Sequence, residues 1–396
     1  MKIITTWTFG RGRGRKQMKR LLLKVTGTLA AVGVLLAAWQ VLPDDFLTRL
    51  SAVSSVLAVP EGAVQAWHAW GEPAKTASEA SETPQENPPD ASAPQTETSK
   101  LPTESRETTQ SHPQTEPPSM QVEEKNRSTV IEEQFSSTLK KNCVVYGLGS
   151  IRNDTKKTEE AVAKLLQKKW GQTLVDDEKT VQVLIMHTHT TESYEPYERS
   201  YYDVTYAART TDENYNMVAV GNRIAEQLTA AGIGVVHDTT VHDYPSYSGS
   251  YDRSAVTVKN WLEKYPTITV VLDIHRDAIE RKVSGKTVRV KPVTEIAGKK
   301  AAQLMIIAGC DDGTMNMPHW EENLRFGAAL QNQLETDWPT LTRPLMFCYR
   351  KYNQDLTTGS LLIEVGGHAN TLDEALYTGE LIGKSLSALL KSYIKK

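Results

Sequence analysis

Three cysteines in 396 residues, an odd number with no C-x-x-C pair among them, leave no material for a disulfide framework or a cysteine-ligated zinc site. Cys143, Cys310 and Cys348 read instead as small buried hydrophobes. A formal charge of -3 lacks the excess of one sign that marks a nucleic-acid or strongly acidic partner. No unit recurs along the chain, so a repeat architecture is excluded.

Other absences are local, and they divide the chain. Residues 1–24 are basic without one acidic side chain, and residues 25–42, "VTGTLAAVGVLLAAWQVL", carry no charge at all. The run approaches the roughly 20 residues that a helix needs to cross a bilayer, and its basic flank belongs in the cytoplasm. The expectation is a single transmembrane helix with everything after it outside. A cleaved signal sequence would have a shorter apolar core, about 7 to 15 residues, before a small-residue cleavage site. Residues 43–70 are mixed and apolar and read as a juxtamembrane segment lying on the membrane. Residues 71–126 are rich in Pro, Ser, Thr, Glu and Gln and nearly free of large apolar side chains, so they read as a disordered linker. Only 127–396 has the composition of a folded domain, extracytoplasmic on this reading.

Within that stretch, short apolar runs alternate with helical patterns. Strands are expected at 144–147, 181–186, 234–237, 268–274, 303–309, 344–349 and 360–365. Helices are expected in "EEAVAKLLQKKW", "ENYNMVAVGNRIAEQLTAAG", "HWEENLRFGAALQNQL" and "TLDEALYTGELIGKSLSALLKSYI", the second with Met217, Val220, Ile224 and Leu228 on one stripe. Runs apolar on both faces, separated by amphipathic helices, imply an α/β domain with a mostly parallel sheet flanked by helices on both faces.

Three of these strands end alike, in "VLIMHTH", "VVLDIHRDA" and "LLIEVGGHAN". Open α/β sheets bind ligands beyond the carboxyl ends of their strands, so residues distant in sequence can converge there. A lone histidine at a strand end is ordinarily a hydrogen-bonded surface residue; three such ends in one sheet are a different signal. Glu364 sits inside an apolar run, where an unpaired carboxylate costs several kcal/mol, so a positive group is expected beside it. Imidazoles with a carboxylate are the ligand set of catalytic zinc. His187 and His189 lie two apart, so on one strand face either can point into the site. Glu213, opening a helix, reads equally as a ligand or as a partner of the helix dipole, and Glu192 as a ligand or a cap. Arg276 and Asp277 flank His275, and one of them can orient an imidazole or the two can form a surface ion pair. His237, His242, His319 and His368 read as surface or groove residues.

Two other patterns fail. "IHRDA" begins like the kinase catalytic loop, but position 282 is Lys where Asn is needed and no D-F-G follows. H-x-H also opens amidohydrolase barrels, but the strands are too few and too irregular for eight βα units.

From about Asn142 to Ile394 the chain resembles the stage II sporulation protein P family, membrane-anchored peptidoglycan hydrolases of endospore-forming bacteria. The resemblance rests on "MHTHTTESY", "YNMVAVGNRIAEQL", "GIGVVHDTTVHDYPSYSGSY", "LDIHRDAI", "RKYNQDLTTGSLLIEVGGHANT" and the W-x-x-N of "HWEENLRFG". That family is in turn similar to zinc-dependent N-acetylmuramoyl-L-alanine amidases, and the resemblance implies their fold. It implies zinc held by His189, His275 and Glu213, with His187 and Glu192 as alternatives, and Glu364 as the catalytic glutamate. The amidase pattern has a glycine-rich turn at its first histidine, where this chain has Thr188, Thr190 and Thr191. The implied reaction is cleavage of the N-acetylmuramoyl-L-alanine amide, with peptide cross-bridges as a second target. The implied partners are peptidoglycan glycan strands and stem peptides, and stage II sporulation proteins D and M, at the sporulation septum. The rival from another class is a catalytically silent, tethered wall-binding scaffold, which has no need of a buried Glu364 beside metal-binding histidines.

Overall fold

The runs expected from apolar patterning assemble into one eight-stranded sheet, and a second sheet grows from a stretch that patterning leaves unread. The computed structural model describes residues 121–138 and 141–395, all within one compact unit, Pro94–Lys396. The span expected at 25–42, the segments flanking it and nearly all of the linker lie outside the described residues. Among the described residues no helix is long and apolar enough to cross a membrane.

In chain order the elements are β1 (Arg127–Glu133), β2 (Cys143–Tyr146), β3 (Gly149–Asp154), α1 (Glu159–Leu165), β4 (Val181–Met186), β5 (Tyr201–Asp203), α2 (Met217–Ala230) and β6 (Gly234–His237). Then come α3 (Ser250–Lys264), β7 (Val270–Asp277), β8 (Glu280–Val283), β9 (Lys286–Ile296), β10 (Lys299–Ala302) and β11 (Leu304–Gly309). The last are α4 (Trp320–Asp337), β12 (Leu345–Cys348), β13 (Gly359–Gly367) and α5 (Leu372–Lys391).

The larger sheet has the order β2-β3-β12-β11-β13-β7-β4-β6. Its pairings are parallel except β2 with β3 and β11 with β13, so it is a mixed sheet rather than a purely parallel one. The reversal at β11 has a consequence for the site. The start of β12 falls at the same edge as the carboxyl ends of β13, β7 and β4. Alternation along β4 sends Val183 and Ile185 into the main core and Leu184 and Met186 into a second core under α3, so helices cover both faces.

Helix α2 begins where the Asn216 side chain accepts the Val218 N–H, and α5 begins with a full Thr371/Glu374 capping box. The two helices pack closely because α5 presents glycines to α2. A Cβ at Gly379 would stand 3.0 Å from the Val220 carbonyl oxygen, and one at Gly383 would stand 2.6 Å from Gln227 Cβ. Cys310 and Cys348 are buried free thiols, and Cys143 is half-buried.

The smaller sheet has the order β10-β9-β1-β5, with β8 also on β9. Two tight hairpins build it. Ser284–Gly285 and Ala297–Gly298 both have positive φ at both positions, the backbone of two-residue type I′ loops.

Candidate metal centre

Past Met186 the chain leaves β4 and turns, so the two-residue period of a strand no longer holds for H-x-H. His187 and His189 therefore meet different neighbours. His187 Nδ1 lies 3.0 Å from the Ile274 carbonyl oxygen and so carries the proton, and its Nε2 lies 2.8 Å from His237 Nε2. Burial pushes the His187 pKa down to about 3 and that of His237 to about 4. His189 goes the other way: its ring stands edge-on to His275 at 5.0 Å and stacks on Tyr247 at 4.5 Å.

The turn bonds Glu192 N–H to the His189 carbonyl at 3.1 Å and brings their side chains together. Glu192 Oε1 is 3.6 Å from His189 Nδ1, and its Oε2 is 3.6 Å from His275 Nδ1. All three residues are buried, and each offers a ligand atom within 4.8 Å of the other two. Among the described residues this is the group with that property. Of the two glutamates weighed as third ligand, the structure brings Glu192 to the histidines. Glu213 is exposed in the turn before α2, away from the cluster, and Glu192 is the carboxylate that faces both imidazoles.

Alternation along β7 puts Asp273, His275 and Asp277 on one face. Asp273 was not anticipated. Its Oδ1 lies 2.8 Å from His275 Nε2, off the alignment of a hydrogen bond, and the carboxylate accepts from Thr188 N at 2.8 Å and Thr188 Oγ1 at 2.7 Å. A carboxylate two residues before a strand-end histidine is a signal the sequence did carry, in "LDIH". The flanking pair also differs from expectation. Arg276 holds Glu192 rather than an imidazole: its backbone N–H donates to Glu192 Oε2 at 3.2 Å and its Nη1 lies 3.9 Å from Oε1. Asp277 pairs with Arg343 at 2.8 Å, reaching from the start of β12. His242 and His368 are buried rather than on the surface, His242 Nδ1 lying 2.7 Å from the His187 carbonyl oxygen.

Glu364 stands in register with His275 on the adjoining strand β13. A bulge follows it, and Gly366, at φ +65, passes so close to Ala302 that a Cβ would come within 2.7 Å. The residue is partly exposed, yet its Oε2 is enclosed and has no hydrogen-bond partner. Burial, then the charge of Asp277, pushes its pKa up to about 8, with His275 and Arg343 opposing.

Charge in the cluster follows from these contacts. Burial works against the Glu192 carboxylate, but Arg276, His189 and His275 hold it well below the usual carboxylate range. Burial likewise works against a charged His275, and Asp273 and Glu192 override it and keep the imidazole protonated well above its ordinary value. His189 is pushed down, chiefly by burial. A cation is thus what the two carboxylates around His275 call for.

The residues fit a divalent ion. Two imidazoles and a carboxylate form a catalytic zinc ligand set, and His189 Nε2 is buried without a hydrogen-bond partner. Beside them stands a glutamate whose raised pKa suits proton transfer near neutral pH.

Among solved structures, the chain is similar to an N-acetylmuramoyl-L-alanine amidase of Nostoc punctiforme, 12% identical, covering 54% of this chain and 97% of that one with a TM-score of 0.34. It is similar also to the CwlD amidase of Clostridioides difficile solved with the GerS lipoprotein, 11% identical over 54% and 98% with a TM-score of 0.34. A metallo-carboxypeptidase of Burkholderia cenocepacia is 9% identical over 61% and 71%, with a TM-score of 0.31. These likenesses are distant, and the centre stands on its own geometry. In sequence the chain is 30% identical over 203 residues to stage II sporulation protein P of Bacillus subtilis (strain 168), an alignment spanning 48% of this chain and 47% of that relative. The match thus spans about half of the relative's length. The model of one family, stage II sporulation protein P, matches residues 71–387, which include every residue of the centre, and the chain belongs to that family.

Proposed function

We propose that the chain is a zinc-dependent peptidoglycan hydrolase that cleaves the amide between N-acetylmuramic acid and L-alanine, with peptide cross-bridges as a second target. The observation that carries this reading is the partnerless Oε2 of Glu364, one strand away from a buried His189/Glu192/His275 cluster. Membership of the family and likeness to stage II sporulation protein P of Bacillus subtilis support a role in sporulation.

His189, Glu192 and His275 would hold the ion. Zinc bound there supplies positive charge that polarises the scissile carbonyl and acidifies a water. Arg276 and Arg209 keep Glu192 ionised and in place, Arg209 Nη2 lying 3.4 Å from Glu192 Oε1. Asp273, gripped by Thr188, fixes the His275 ring. Glu364 takes the proton of the attacking water and delivers it to the amine as the C–N bond breaks.

On this reading an anchor at 25–42 and the linker 71–126 hold the domain outside the membrane at the sporulation septum, with stage II sporulation proteins D and M as partners. The test is fragment release from purified sacculi by the full chain in detergent, with chelator and with zinc restored. Mass spectrometry of the products of one defined muropeptide identifies the bond. Chelator-sensitive release that Glu364→Ala abolishes is expected. Equal release by wild type and Glu364→Ala would sink the proposal, and binding without release is what a silent scaffold would give.

A further inference from the structure

Tyr251, in the first turn of α3, faces the metal cluster from an element that contributes no ligand. Its ring lies edge-on to His189 at 5.6 Å, nearly parallel to His275 at 6.5 Å, and 5.4 Å from Tyr352. The charges of Asp273, beside His275, and of Glu364, the proposed base, both act on its hydroxyl. The side-chain groups that bond to Tyr251 reach its backbone carbonyl, not its hydroxyl. Tyr194, also under the charge of Glu364, has spent its hydroxyl on the Val365 carbonyl at 2.9 Å.

The position of Tyr251 is held from several sides. Asn353 Nδ2 donates to the Tyr251 carbonyl at 2.9 Å and to Ser254 Oγ at 3.0 Å. Ser254 Oγ is 2.8 Å from Thr188 Oγ1, which in turn grips Asp273. A continuous chain of bonds therefore runs from Tyr251 to the carboxylate beside His275. Tyr352 and Asn353, at φ 47 and 55, are successive non-glycine residues in the left-handed region, a conformation kept only where the surroundings impose it.

We propose that Tyr251 is a further catalytic residue, its hydroxyl donating a hydrogen bond to the scissile carbonyl oxygen as that oxygen takes on negative charge. The assignment rests on the hydrolase reading above. Water adds to the carbonyl carbon, the π electron pair moves onto the oxygen, and the water proton goes to Glu364. When the pair returns, the C–N bond breaks and Glu364 gives its proton to the departing amine. Tyr251 transfers no proton and ends as it began. A phenol with an ordinary pKa of about 10 is protonated at neutral pH and needs no tuning for this task. It acts only where oxygen lies within about 2.7–3.1 Å of it, which is why a ring fixed beside both imidazoles matters.

Tyr251→Phe keeps the ring and deletes only the O–H. In the full chain acting on a defined muropeptide, kcat should fall about 10²- to 10³-fold, with KM, zinc content and thermal midpoint unchanged. Wild-type kcat in Tyr251→Phe overturns the assignment. A raised KM with unchanged kcat, or a loss of zinc or of thermal stability that accounts for the lost rate, also overturns it, because the side chain would then bind or merely pack. A wild-type chain that releases no product overturns the hydrolase reading and this assignment with it.

Discussion

Two glutamates near the end of the chain are enclosed in opposite ways. Glu374, where α5 meets the smaller sheet, has Oε1 2.6 Å from Lys291, while its Oε2 accepts from Asn370 Nδ2 at 2.8 Å and Thr371 N at 3.1 Å. Glu364, at the edge of the larger sheet, has no cationic nitrogen within 4.0 Å among the described residues, and its Oε2 has no donor. The same contrast separates the two regions. In the smaller sheet Lys291 also meets Glu132 at 3.0 Å, and Arg289 meets Glu195 at 3.1 Å and lies 4.0 Å over the Tyr202 ring. Those buried charges complete one another. At the larger sheet's edge, polar atoms are enclosed but left with capacity to spare. Burial of charge alone therefore says little about function; burial without a counter-charge is the discriminating feature.

Breaking each region should give a different kind of damage. Glu364→Gln should lower kcat on muropeptides about 10²- to 10⁴-fold with the thermal midpoint unchanged; a variant that unfolds early would make Glu364 another Glu374. Glu374→Ala leaves Lys291 enclosed without its nearest counter-charge and should cost about 3–5 kcal/mol in urea unfolding, while the zinc stoichiometry of the folded protein stays at wild type. Asp273→Asn should weaken zinc binding about 10- to 100-fold by competition with a chromogenic chelator, since the ligand His275 stays and only its support is altered. Unchanged affinity would move Asp273 out of the centre.

Acid should act on the larger sheet's edge through His187. Burial puts its folded pKa at about 3, below the ordinary 6.5, so the unfolded chain takes up its proton first as pH falls. Stability of the metal-free chain is untouched above about pH 6.5 and falls by about 1.4 kcal/mol per pH unit below it from this residue. Thermal midpoints from pH 8 to 4.5 check this, and His187→Asn should flatten the slope. The smallest effect belongs to Glu213→Ala, exposed before α2, which should change stability by no more than about 0.5 kcal/mol and zinc affinity not at all. Loss of zinc there would restore Glu213 over Glu192.

Much of the larger sheet was legible because its strands are apolar on both faces and its helices carry clean stripes. β4 and β6 have the expected bounds, and α2 buries Met217, Val220, Ile224 and Leu228 as its spacing requires. The smaller sheet was harder to read because Arg289 and Lys291 point inward along β9, so the charged residues break the alternation that marks a strand. Its Ser-Gly and Ala-Gly turns were nonetheless signals in plain view. Helix α3 escaped notice for a similar reason: its buried face is made partly of Ser250 and Ser254, which carry no apolar stripe.

The order of residues by itself determined that imidazoles and a glutamate would stand near the carboxyl ends of buried strands, because apolar runs define those strands and the ionisable residues fall at or near the end of each. Spacing along a chain does not encode distance across a sheet. Only the tertiary structure decided that Glu192 rather than Glu213 meets both histidines, since a turn past β4 brings Glu192 beside His189 while Glu213 stays in solvent. Folding likewise chose His189 over His187, by ending the strand before either residue and sending their rings to different neighbours.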